Sequence, residues 1–107
     1  MKAKITPFVT IELADKPYKI RYDMAVMLEC EDLGISPETD KPMTYAARLL
    51  WVMLKQDEPE LTYDEVKARL RGVNPRYIDK KTLEAVEAGI STGDDPNAEK
   101  GTAAPIG

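Results

Sequence analysis

Cys30, set between Glu29 and Glu31, and the acidic run Asp94-Asp95-Pro96-Asn97 are the places in this chain where chemistry could start. Neither goes far. A cysteine nucleophile needs a base to take its proton, and the chain has no histidine at all. The flanking carboxylates push a thiol toward its protonated, unreactive form, so Cys30 reads as a small core residue. One cysteine among carboxylates is a poor donor set for zinc. The acidic run fails as a calcium loop: an EF-hand needs glycine at its sixth position and glutamate at its twelfth, and counting from Asp95 the sixth residue is Lys100. The sequence therefore predicts no enzyme, no cofactor and no metal, and any function must be sought in what the chain binds.

The composition restricts the partners. Of 107 residues, 43% are hydrophobic and 32% charged, an ordinary balance for one globular domain. The formal net charge of −4 opposes general nucleic-acid or membrane binding. A single cysteine excludes an internal disulfide and suits a reducing cytoplasm. Met1 to Pro7 holds no apolar run of signal-peptide length, and no stretch approaches the roughly 20 apolar residues that span a bilayer.

The elements that would position a binding surface can be read from periodicity. Val9, Ile11 and Leu13 alternate with Thr10 and Glu12, and Tyr18, Ile20 and Tyr22 alternate with Lys19 and Arg21, so two strands form a hairpin across a four-residue turn, Ala14 to Pro17. Asp23 stands as the N-cap of a first helix, with no loop between strand and helix, and Met24, Met27 and Leu28 follow at helical spacing. Gly34 ends that helix in the left-handed region, with Ile35 placed for the accompanying apolar contact. A second helix covers about Met43 to Gln56 with the core stripe Ala46, Leu49, Leu50, Met53 and Leu54. Thr62 to Glu65 is a capping box opening a short third helix to about Arg71, with Val66 and Leu70 facing in, and Gly72 ends it. Asn74-Pro75 opens a fourth, whose apolar positions, Ile78, Leu83, Val86 and Ile90, make a narrower and less regular stripe. The fold class is α+β: an N-terminal two-stranded antiparallel hairpin followed by about four short helices. Residues 1–91 make one domain, and residues 92–107, with one large apolar residue, make a disordered tail.

Several residues are candidates for partner binding, each with a structural alternative. Trp51 with Val52 is either an anchor for a partner helix or part of the core. Met24, Met27, Met43 and Met53 either form an adaptable binding surface or fill the interior. Glu29, Glu31, Asp32, Glu38 and Asp40 form an acidic stretch. Lys67, Arg69, Arg71, Arg76, Lys80 and Lys81 form a basic one opposed only by Asp79. These are either complementary faces for head-to-tail self-association or two solvated surfaces. Contact of the basic stretch with nucleic acid, with Tyr77 stacking on a base, is the reading that the net charge disfavours.

The order and content of these elements resemble the small tail assembly chaperones of long-tailed phages, prophages and gene-transfer particles. The resemblance is carried by Tyr18 to Asp23 at the strand-to-helix junction and by Leu28 to Gly34 closing the first helix. It continues in Ala46 to Leu54 with their Leu-Leu-Trp core and in Glu58 to Val66 with a Glu-Pro-Glu-Leu-Thr break; all lie between Tyr18 and Val66. It implies a non-enzymatic role in the bacterial host cytoplasm. Such a chaperone binds the long helical tape-measure protein, keeps it from aggregating, and helps recruit tail tube subunits, often with a longer form made by ribosomal frameshifting. The alternatives from other classes are a small protein-interaction module, adaptor-like or antitoxin-like, and a minor structural component of the particle.

Overall fold

The computed structural model describes residues 6–91. Its elements run β1 (Val9–Leu13), β2 (Lys16–Ile20), α1 (Met24–Leu33), α2 (Pro42–Lys55), α3 (Tyr63–Arg69) and α4 (Pro75–Ser91). This is the expected α+β order of one antiparallel hairpin and four helices. The expectation for residues 92–107 lies outside the described residues.

The hairpin is tighter than its sequence suggests. Leu13 pairs directly with Lys16, so the turn is the two residues Ala14 and Asp15, not four. Both have positive φ, 51° and 64°, as a mirror-image type I′ turn requires. Asparagine-glycine is the usual signature of such a turn, and alanine in the left-handed region costs about 1–2 kcal/mol, which is why the pair was not legible as one. The alternation of β1 holds: Ile11 and Leu13 are buried, Thr10 and Glu12 exposed.

The strand does not run straight into the helix. Pairing ends at Val9 with Ile20, and Arg21, Tyr22 and Asp23 form a three-residue link. Continuing the register would set Tyr22 against Pro7, which has no N–H to give to a ladder. Asp23 is the N-cap as expected: its Oδ1 accepts from the Val26 amide at 3.2 Å. At the other end Gly34 takes φ 70°, and the Ile35 amide donates back to the Cys30 carbonyl at 2.9 Å, delivering Ile35 into the core.

Helix α2 is the centre of the fold. Ala46, Leu49, Leu50, Val52, Met53 and Leu54 are all buried, and the helix packs against α1, α3, α4 and β2. The capping box of α3 is complete: the Thr62 amide donates to Glu65 Oε1 at 2.9 Å and the Glu65 amide to Thr62 Oγ1 at 3.2 Å. Val66 is buried, with Leu70 packed partly against the core.

Two inward faces differ from those expected. In α1 the buried residues are Val26 and Cys30, while Met24 and Leu28 are 65% and 54% exposed. In α4 the buried residues are Ile78, Thr82 and Ala85, and Leu83 and Ile90 point to solvent at 54% and 67% exposure. Close approach decides the second case. A Cβ built on Gly89 would collide with the Tyr22 carbonyl, so this face of α4 must carry small residues where it meets the strand-to-helix link. Thr82 is tolerated inside because its hydroxyl donates to the Ile78 carbonyl at 2.9 Å.

Candidate partner-binding surface

The side of α2 that faces the hairpin and α3 is closed by paired polar groups. Trp51 is half-buried, its Nε1 donates to the Leu61 carbonyl at 2.9 Å, and its ring lies 5.6 Å from that of Tyr63. Lys55 Nζ sits 4.8 Å over the Trp51 ring and donates to Glu29 at 2.6 Å, joining α1 to α2. Arg69 makes a bidentate pair with Glu58, at 2.9 and 2.7 Å, and stacks 4.7 Å over Tyr18 of the hairpin. Hydrogen bonds from Lys55 and from Arg69 hold the Glu29 and Glu58 carboxyls below their ordinary range, and the Glu58 contact raises the Arg69 guanidinium.

These contacts take up Trp51 and Arg69, and burial takes up Val52 and Met53, among the residues singled out as partner-binding. Val52 and Met53 are core residues, 0% and 2% exposed, though Met53 also lines a cavity by the hairpin. Trp51 is a fastening between α2 and the segment before α3. Arg69 is spent on Glu58. Arg71 and Arg76 are exposed on the surface, and Met27 is half-buried in α1. The charged stretches are thinned in the same way. Glu29 pairs with Lys55 and Asp40 with Arg48, which also donates to the Leu33 carbonyl at the end of α1. Lys67 pairs with Asp64 and Lys81 with Glu84.

The opposite side of α2, between α1, α4 and the Ile35–Lys41 loop, is open. A groove of about 420 Å³ runs between α2 and α4, walled by Pro37, Pro42, Tyr45, Leu49, Leu83 and Val86, with Asp79 at its rim. A second groove of about 290 Å³ shares Pro37 and Tyr45 with it and continues to Tyr22, Met27, Ile35 and Glu31 of α1 and its flanks. Tyr45 forms the ridge common to both. Burial pushes its hydroxyl pKa up, as it does for Tyr22, so both phenols stay neutral hydrogen-bonding groups. Burial, then the Glu29 charge, likewise raises the Cys30 thiol at the floor of the second groove, and the inert reading of this cysteine gains a cause stronger than its acidic neighbours.

Neither groove wall carries a cation. The charged groups that line them are Glu31 and Asp79, and neither makes an ion pair among the described residues. Met24 and Leu28 extend the apolar surface along α1, since they lie on the same helix face as Met27 and Glu31. Tyr45, Leu83 and the two prolines escaped the sequence reading. The available signal was the competition on α4 between the large stripe Leu83–Val86–Ile90 and the stripe Ile78–Thr82–Ala85, which narrows to small residues toward Gly89. Only the second stripe allows the close packing that Gly89 marks.

A further cavity of about 330 Å³ lies by the hairpin, lined by Phe8, Lys19, Arg21, Asp23, Met53, Gln56 and Asp57. Its cations and carboxylates balance. Arg21 Nε is buried there without a hydrogen-bond partner.

No family model matches the chain, and no curated protein or solved structure matches it significantly. Among the described residues no group of histidine, cysteine or acidic side chains is placed to hold a metal ion, and no helix is long and apolar enough to cross a membrane.

Proposed function

We propose that this chain is a non-enzymatic assembly chaperone of the phage tail kind, which binds a tape-measure protein in the bacterial cytoplasm, keeps it soluble, and helps bring tail tube subunits to it. The observation that carries this reading is the surplus of exposed large apolar side chains. Met24, Leu28, Met43, Leu83 and Ile90 are each at least half exposed, on a domain whose buried cluster is otherwise closed. Where such side chains lie together, as Leu83 does with the apolar groove lining and Met24 with Leu28 on one face of α1, they suit an interaction site. Methionine and leucine at such positions suit a client whose sequence varies along a long helix. The order of elements on which the family resemblance rests supports the same reading, and the single cysteine suits a reducing compartment.

The test is coexpression with the tape-measure protein encoded in the same genome. The chain should raise the soluble yield of that protein and be missing from purified tails. A genome without such a protein, or an unchanged yield, contradicts the reading. Stoichiometric presence in finished tails favours a minor structural component instead.

A further inference from the structure

The open side of α2 has a shape and a charge that together specify what it takes. Its walls are helices and a proline-bounded loop, with no strand edge to pair with. The uncharged polar groups it offers are few: the Tyr22 and Tyr45 hydroxyls, the Ser36 hydroxyl, which already accepts from the Glu38 amide, and Thr82, whose hydroxyl already donates to carbonyls of its own helix. An extended peptide laid against these apolar walls would leave its backbone N–H and C=O groups without partners. A helix satisfies its own backbone and presents only side chains, as in other helix-in-groove complexes.

The rim supplies the sign of the charge. Glu31 stands at the α1 end and Asp79 at the α4 end; among the described residues neither makes an ion pair, and no lysine or arginine lines either groove. A ligand flanked by carboxylates would be repelled, and one flanked by ammonium or guanidinium groups would find two partners. We propose that the paired grooves between α1, α2 and α4 bind one amphipathic helix whose apolar stripe is flanked by lysine or arginine. This assignment rests on the chaperone role proposed above and names the kind of client segment that is held.

The full chain is titrated, at low salt, with two designed helical peptides of about 18 residues. They share one apolar stripe and differ only in carrying lysine or glutamate beside it. The lysine peptide should bind, and the glutamate peptide should bind roughly tenfold more weakly. The double variant Glu31→Lys/Asp79→Lys should reverse that order. Leu83→Asp, at an exposed position, should leave the circular dichroism unchanged and weaken the lysine peptide at least tenfold. Three results overturn the proposal. One is failure of the lysine peptide to bind, or equal affinity for both peptides. Another is indifference to Leu83→Asp in a folded protein. The third is a self-dimer that Leu83→Asp dissociates and that excludes the peptide, since the groove then belongs to a second copy. The chaperone reading stands or falls separately. If coexpression solubilises the tape-measure protein but the peptides fail, only the groove assignment is lost. If the peptides bind and coexpression has no effect, only the role is lost.

Discussion

The two sides of α2 are built on opposite plans. Toward the hairpin and α3, the side chains are fastened: Trp51 to Leu61, and Arg69 to Glu58 and Tyr18. Toward α1, α4 and the proline-bounded loop, Lys55–Glu29 and Arg48–Asp40 tie the edges, but apolar side chains line two adjacent grooves whose rim carboxylates make no ion pair among the described residues. A small domain has little stability to spare. Most of that stability lies in the buried stripe of α2, and the fastened side adds to it. The open side gives some up, because its apolar residues remain in water. The difference separates residues that hold the fold from residues available to a partner, a division that residue type alone does not make.

The comparison can be broken most severely in the core. Leu50 is fully buried at the centre of α2, and Leu50→Ala should lower unfolding free energy by about 2–5 kcal/mol, read by denaturant titration. Peptide affinity of the fraction that stays folded should not change. On the fastened side, Trp51→Phe removes the hydrogen bond to Leu61 while keeping an aromatic ring. It should cost about 0.5–1.5 kcal/mol and leave binding intact. A loss of binding without loss of stability would make Trp51 an anchor after all.

Acid should act through the same side. Glu29 and Glu58 are held below their ordinary value of 4.5, so the folded protein binds fewer protons there than the unfolded chain does. The stability they lend is complete above about pH 4.5 and is lost as pH falls below it. Glu58→Gln should therefore be less stable than wild type near neutrality, with a gap that narrows in acid; a gap that widens there would contradict the pairing with Arg69. The smallest effect on stability belongs to the open side. Leu83→Asp should shift unfolding by no more than about 0.5 kcal/mol, because the side chain is already more than half exposed. A large loss would mean that Leu83 supports the fold and that the two sides do not differ as described.

Much of this fold was legible because local signals agreed with the tertiary structure. The Thr62–Glu65 box, the Asp23 cap, the Gly34 terminus and the apolar stripe of α2 each depend on residues a few positions apart. What was not legible depended on approach between distant elements. The inward face of α4 was misread because apolar size pointed to Leu83 and Ile90, whereas the backbone at Tyr22 leaves room only for Gly89 and its small neighbours. The hairpin turn was misread because Ala14 takes a positive φ that its type does not announce. Among the candidate binding residues, Met27 lines the open side; Val52 and Met53 were drawn from the most apolar helix, which proved apolar because it is central. Tyr45 was invisible as a groove residue because its place depends on α1, α2 and the loop between them at once.

The claim that the open side is the binding surface is tested most directly by mapping backbone amide shifts of the full chain on addition of the lysine-flanked peptide. The account predicts perturbations gathered at Met27, Ile35, Tyr45, Leu83 and Val86, with Trp51, Tyr63 and Arg69 little changed. Perturbations centred on Trp51, Tyr63 and Arg69, with the α1–α2–α4 grooves silent, would contradict it.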